Sequence, residues 1–180
     1  FTATGNYDVT LQATNGVGSN SLTKTAYIHV ISPYCAPSAS SLSSDIAIAK
    51  VTVGSIDNNS TVGVDVYSDY SGKYSACMSR GGKYPFTVSR KTNVNAANIN
   101  IWVDFNGDGD FDDQGELAAQ QGGSNSLSFS DSLRVPTSAQ LGQSRIRVGI
   151  AYNNQSNTPC GPNYFGEFED YGVFVTDDNT

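Results

Sequence analysis

The sequence predicts an all-β chain organised as a β-sandwich, jelly-roll or immunoglobulin-like, and three observations carry that prediction. The apolar residues, 38% of the 180, are mainly Val, Ile, Tyr and Phe, and they are interspersed with Thr, Ser, Asn and 18 glycines. That is the composition of short strands joined by tight turns. Apolar and polar residues alternate in short runs bounded by Gly, Asn, Ser or Pro, the period expected of half-buried strands. A helix needs an apolar stripe every three to four residues, and the best stretch, SLSSDIAIAKVTV (41–53), soon turns to alternation, leaving room for one short helix at most.

The first run, residues 5–31, alternates twice around the turn-forming NGVGSN segment. Tyr7, Val9, Leu11 and Ala13 share one face, as do Ala26, Ile28 and Val30, which predicts a hairpin. The segment GNYDVTLQATNGVG resembles the closing strands of a polycystic-kidney-disease (PKD) domain, an immunoglobulin-type spacer of secreted bacterial enzymes. The match spans about the last third of such a domain, so the chain reads as a fragment of a longer protein. Its two strands are expected to pack on the next domain. Residues 32–44, rich in Pro, Ser and Ala, read as the linker and first-strand entry, and residues 45–177 as the main sandwich. Within it the strand candidates are AKVTVGSI, TVGVDVYSDY, YPFTVSRK, INIWVDF, SLSFSDSLRV, SRIRVGIAY and DYGVFVTD. Seven at that spacing suit a sandwich.

Charge narrows the functions. The net charge of −7 argues against general nucleic-acid binding, which draws on a basic surface. No run of 18 apolar residues is present, so no membrane insertion is expected. There is one histidine, His29, in the hairpin, so no Ser-His or Cys-His pair is expected in the sandwich, nor is there a nucleophile elbow. The chain is therefore expected not to be an enzyme. Cys35, Cys77 and Cys160 allow one disulfide and one leftover thiol, favouring an oxidising compartment.

Six of the 17 acidic residues lie between Asp104 and Glu116, directly after the strand INIWV. Calcium takes about six to eight oxygens, and short carboxylate and amide side chains on alternate loop residues can converge on one ion. Asp104-Phe-Asn106-Gly-Asp108-Gly matches the first positions of an EF-hand loop, with Gly107 and Gly109 allowing the tight turn. The glutamate comes one residue late and a strand precedes the loop, so the prediction is an EF-hand-like calcium loop in a β setting. Two other readings stand beside it: a solvated Asx-rich turn, and paired glycosidase carboxylates among Asp104, Asp108 and Glu116. Five aspartates within ten residues repel one another unless a cation neutralises them.

Several segments in order, YC at 34–35, IWVDFNGDGDFDDQGEL, LRVPTSAQLGQSRIRVGIAY, PCG and GEFEDYGVFV, resemble the GEVED domain, over residues 34–176. The resemblance implies a β-sandwich with structural Ca2+ and an accessory role beside the catalytic domain of a secreted or cell-surface bacterial protein. It carries the calcium ligands to Asp104, Asn106, Asp108, Asp110 and Glu116, and the closing motif to Gly166, Glu167, Glu169, Asp170 and Tyr171, with Phe168 in place of the usual valine. Asp170 is included among the expected metal ligands. The YC and PC positions suggest a Cys35–Cys160 disulfide, which leaves Cys77 as an inert buried thiol.

The segment 67–84 gathers tyrosines and cations, and Lys73, Arg80, Lys83, Arg90 and Lys91 lie in a stretch without any acid. Aromatic faces and basic side chains suit an anionic polysaccharide, so Tyr70, Tyr74, Arg80, Lys83 and Tyr84, with Tyr164 from a second aromatic loop, are the expected ligand contacts. Trp102 alternates with the apolar residues of its strand and is expected in a second core layer, with an aromatic platform as the alternative. The expected function is a monomeric, non-catalytic polysaccharide-binding module; a structural spacer or a protein- or collagen-binding module is the alternative.

Overall fold

The computed structural model describes residues 3–41, 45–60 and 65–177. The alternating N-terminal run forms strands β1 (Gly5–Asn15) and β2 (Gly18–Val30), an antiparallel hairpin. Asn15 shapes the turn by accepting the Val17 and Gly18 amides on its Oδ1. Asp8 accepts the amide of Ala26 at an irregularity in the ladder. Leu11 and Leu22 stand opposite each other, 69% and 63% exposed, and Tyr27 is also exposed. His29 is exposed, as expected of a surface strand position. This hairpin belongs to one compact unit, residues 1–34, and residues 35–180 form a second.

The second unit contains two sheets and, among the described residues, no helix. The smaller sheet orders its antiparallel strands as β11 (Ser128–Arg134), β8 (Lys83–Arg90), β4 (Ile48–Val53) and β5 (Ile56–Asn59). The larger one runs β10 (Leu117–Ser124), β9 (Ala97–Val103), β12 (Gly142–Tyr152) and β13 (Asn163–Thr176). On its free edge β13 pairs in parallel with three short strands in succession: β3 (Ala39–Ser41), β6 (Tyr67–Asp69) and β7 (Ser75–Ser79).

The core follows from alternation. Ile99, Ile101 and Val103 of β9, with Ile146, Val148 and Ile150 of β12, pack into one cluster with Val51, Val53, Phe86 and Val88 of the smaller sheet. Trp102 is 4% exposed and lies outside that cluster, directly opposite Arg147 on β12. It fills a second layer on the far face of the larger sheet, as its place in the alternation predicts.

Several expectations are revised. Of the stretch 41–53 that left room for one short helix, residues 42–44 lie outside the described residues, and Ile48–Val53 form β4 at the expected strand AKVTVGSI. The predicted strand TVGVDVYSDY begins at residues 61–64, outside the described residues; within it β6 covers Tyr67–Asp69. The segment 67–84, read from its tyrosines and cations as a ligand surface, also contributes to the core, because β7 places Ala76 and Met78 inward. The same alternation turns Cys77 outward, so it is an exposed free thiol rather than a buried one.

Candidate functional site

Strand β9 ends at Val103, whose amide donates to the Glu116 carbonyl at 2.8 Å and so closes the base of the acidic loop. Two buried carboxylates organise its interior. Asp104, 0% exposed, accepts the Gly107 amide on Oδ1 at 2.6 Å and the Gly109 amide on Oδ2 at 3.1 Å. Both glycines have positive φ, 74° and 99°, a backbone that side chains beyond glycine rarely adopt. Glu116, 1% exposed, accepts the Phe105 amide on Oε1 and the Asp113 amide on Oε2. Burial pushes Glu116 up to about 7, and the charge of Asp104 adds to the shift.

With the backbone held from within, successive Asx turns direct the remaining carboxylates. Asn106, Asp108 and Asp110 each accept the amide two residues on, at 3.1, 3.2 and 3.0 Å. The carboxylates of Asp108, Asp110 and Asp113 come within 4.8 Å of one another. The Asn106 amide nitrogen bridges two of them, donating to Asp108 at 2.9 Å and to Asp113 at 2.7 Å. This donor set, all carboxylate oxygen on a glycine-shaped loop, fits a hard cation such as calcium and lacks the His or Cys ligands usual for zinc. Asp113 joins the convergent group although the EF-hand pattern does not assign it a ligand position.

Asp170 is engaged elsewhere. It stands opposite Arg147 in the β12–β13 ladder, and the two form a bidentate pair, Nε to Oδ1 2.6 Å and Nη2 to Oδ2 2.7 Å, both residues 0% exposed. Tyr67 Oη and Arg145 Nη1 donate to the same Oδ2. Its oxygens are occupied by cations of the protein itself, which corrects its expected place among the metal ligands.

Arg147 links this pair to the loop. Its guanidinium lies 4.8 Å from the ring centre of Phe111, a buried aromatic residue of the acidic segment, and 5.4 Å from that of Tyr67. It also donates to the carbonyls of Pro159 at 2.7 Å and Cys35 at 2.8 Å, beside the Cys35–Cys160 disulfide. The expected disulfide is present, and one guanidinium joins it to β13 and the loop. Sequence reasoning missed Arg147, Phe111 and Tyr67 in these roles. A signal was available: Arg145 and Arg147 share one face of an otherwise apolar strand.

The expected polysaccharide contacts are mostly used within the fold. Tyr70 and Tyr74 are half-buried, with ring centres 5.7 and 6.5 Å from that of Tyr171. Tyr84 accepts the Ser79 amide at 2.6 Å. Arg80 donates to the Ala139 carbonyl at 2.6 Å and pairs with Asp177 at 3.1 Å. Arg90 is buried and donates to the carbonyls of Ser126, Asn95 and Ser124. Lys73, Lys83 and Lys91 are exposed. Tyr164 is 58% exposed and rests edge-on against Phe165, which rests in turn against Tyr152.

No curated protein matches this chain. The ladder from β9 to β13, with the acidic loop and the GEFED segment inside it, coincides with a family match: residues 98–174 match the GEVED domain, and this stretch is similar to that family.

Proposed function

We propose that this chain is a non-catalytic accessory module of a larger secreted or cell-surface protein, stabilised by calcium in the loop 104–116. The observation that carries it is the convergence of Asp108, Asp110 and Asp113 above a backbone held by Asp104 and Glu116. Such a loop keeps like charges together only at an electrostatic cost that a cation offsets. The GEVED match supports an accessory role, and the disulfide supports an oxidising, extracellular setting. The hairpin is read as the end of a PKD-type spacer that joins the module to a catalytic domain. Titration calorimetry with calcium tests the loop: saturable heat is expected, with the loop's share lost in D108N/D110N, and an unchanged isotherm in that variant or no binding at millimolar calcium overturns the reading.

A second layer of the reading is polysaccharide binding by the monomer. Tyr164 supports it, since this exposed ring is steadied by Phe165 and Tyr152 and offers a flat face to a sugar. The exposed Lys83 and Lys73 favour an anionic glycan. Affinity electrophoresis through alginate, carrageenan and neutral glucan gels is expected to retard the protein in an acidic gel, and to retard Tyr164→Ala less. Equal migration in every gel supports the spacer or protein-binding alternative.

A further inference from the structure

Strand β13 carries a second acidic feature that the loop does not use. Glu167, Glu169 and Tyr171 stand opposite Ile150, Val148 and Ile146 on β12, on the face that packs into the core. Asp170 points the other way, to Arg147 and, through it, to Phe111 of the acidic loop. The two acidic groups therefore lie on opposite faces of the larger sheet.

Glu167 is 2% exposed and Glu169 is 0% exposed. A buried carboxylate requires a partner charge or a complete set of hydrogen bonds. Among the described residues no Lys, Arg or His forms an ion pair with either. Their surroundings are polar but neutral. Tyr171 Oη donates to Glu169 Oε2 at 2.5 Å, and Asn58 Nδ2 donates to Tyr171 Oη at 2.9 Å. Asn58 Nδ2 also donates to the Ser60 hydroxyl at 3.4 Å, which places that oxygen in the same polar group. Ile48 donates its amide to Glu167 Oε2 at 2.6 Å. Glu169 Oε1 is buried and has no hydrogen-bond partner among the described residues.

Protonation does not cure that defect. A proton on Oε2 leaves Oε1 a bare carbonyl oxygen in the core, and a proton on Oε1 creates a hydroxyl with no acceptor. What Oε1 lacks is a donor or a cation, and the described residues supply neither. Two neighbouring carboxylates balance a divalent ion, and the surrounding hydroxyls complete an all-oxygen environment suited to a hard cation.

We propose that Glu169 and Glu167, with the Ser60 and Tyr171 hydroxyls beside them, form a second calcium site in the core beneath β13, separate from the loop 104–116. The test is the calcium content of the full chain after dialysis against calcium-buffered solution, measured by elemental mass spectrometry. It compares the native protein, the loop variant D108N/D110N/D113N and that variant with E169Q added. The loop variant is expected to keep a calcium ion, which E169Q then removes. A loop variant empty of calcium overturns the core site while leaving the loop reading intact. Equal content in the native protein and the loop variant, lost on adding E169Q, rejects the loop and retains the core site. Melting provides a check that does not depend on content. If Glu169 binds an ion, E169Q abolishes the calcium-dependent rise in Tm that the loop variant retains. If it does not, E169Q raises Tm equally in calcium and in EDTA, because an amide replaces an unsatisfied buried carboxylate, and the proposal fails.

Discussion

Arg147 and Asp170 meet across the β12–β13 ladder as directly opposed residues, joined by two short hydrogen bonds and closed off from solvent. Removing one member leaves the other charged and buried. Asp170→Asn or Arg147→Met is expected to cost about 3–5 kcal/mol in urea unfolding, whereas replacing both with leucine costs less than the sum of the single changes. Additive single losses contradict direct coupling.

The calcium loop predicts a condition-dependent stability. A ligand that binds only the folded state, present at about 100 times its Kd, adds roughly 2.7 kcal/mol, so Tm is expected to rise with calcium and fall with EDTA. In D108N/D110N the loop's share of that rise disappears. A wild-type Tm that does not respond to calcium contradicts a structural ion.

The Cys35–Cys160 bond closes a span of 125 residues and sits against the carbonyls that Arg147 holds. Replacing both cysteines with serine is expected to destabilise the sandwich by roughly 2–5 kcal/mol, read by denaturant unfolding. Cys77 is exposed and free, and it should react with a thiol reagent in the folded protein while the other two do not.

Gly149 predicts a packing penalty at one methyl group. A Cβ there would lie 2.7 Å from Asn157 Oδ1 and 2.7 Å from Phe168 Cε1. Gly149→Ala is expected to cost about 1–3 kcal/mol, because the aromatic ring and the amide must both shift. Reducing the ring by Phe168→Val, the residue usual in the resembled motif, should recover part of that loss in the double variant.

Much of the fold is legible because a strand repeats every two residues. INIWV and SRIRVGIAY place Ile99, Ile101 and Val103, and Ile146, Val148 and Ile150, on one face, and those residues form the core seen here. The tyrosine- and cation-rich stretch 67–84 is less legible. Its spacing does not tell which ring is covered by Tyr171 or which guanidinium is held by the Ala139 carbonyl, since both partners come from distant parts of the chain. The loop is intermediate: its acids and glycines are evident, but the division into Asp104 and Glu116 as backbone anchors and Asp108, Asp110 and Asp113 as the converging group depends on how the turns close.

The sequence alone determined the all-β class, the acidic loop and its glycines, and the segments that resemble the GEVED domain, because these depend on local alternation, turn chemistry and residue order. Only the tertiary structure decided that Asp170 pairs with Arg147 rather than joining the acidic loop, and that Glu167 and Glu169 face the core. Both follow from the register of β13 against β12, which assigns adjacent acids to opposite faces of one sheet.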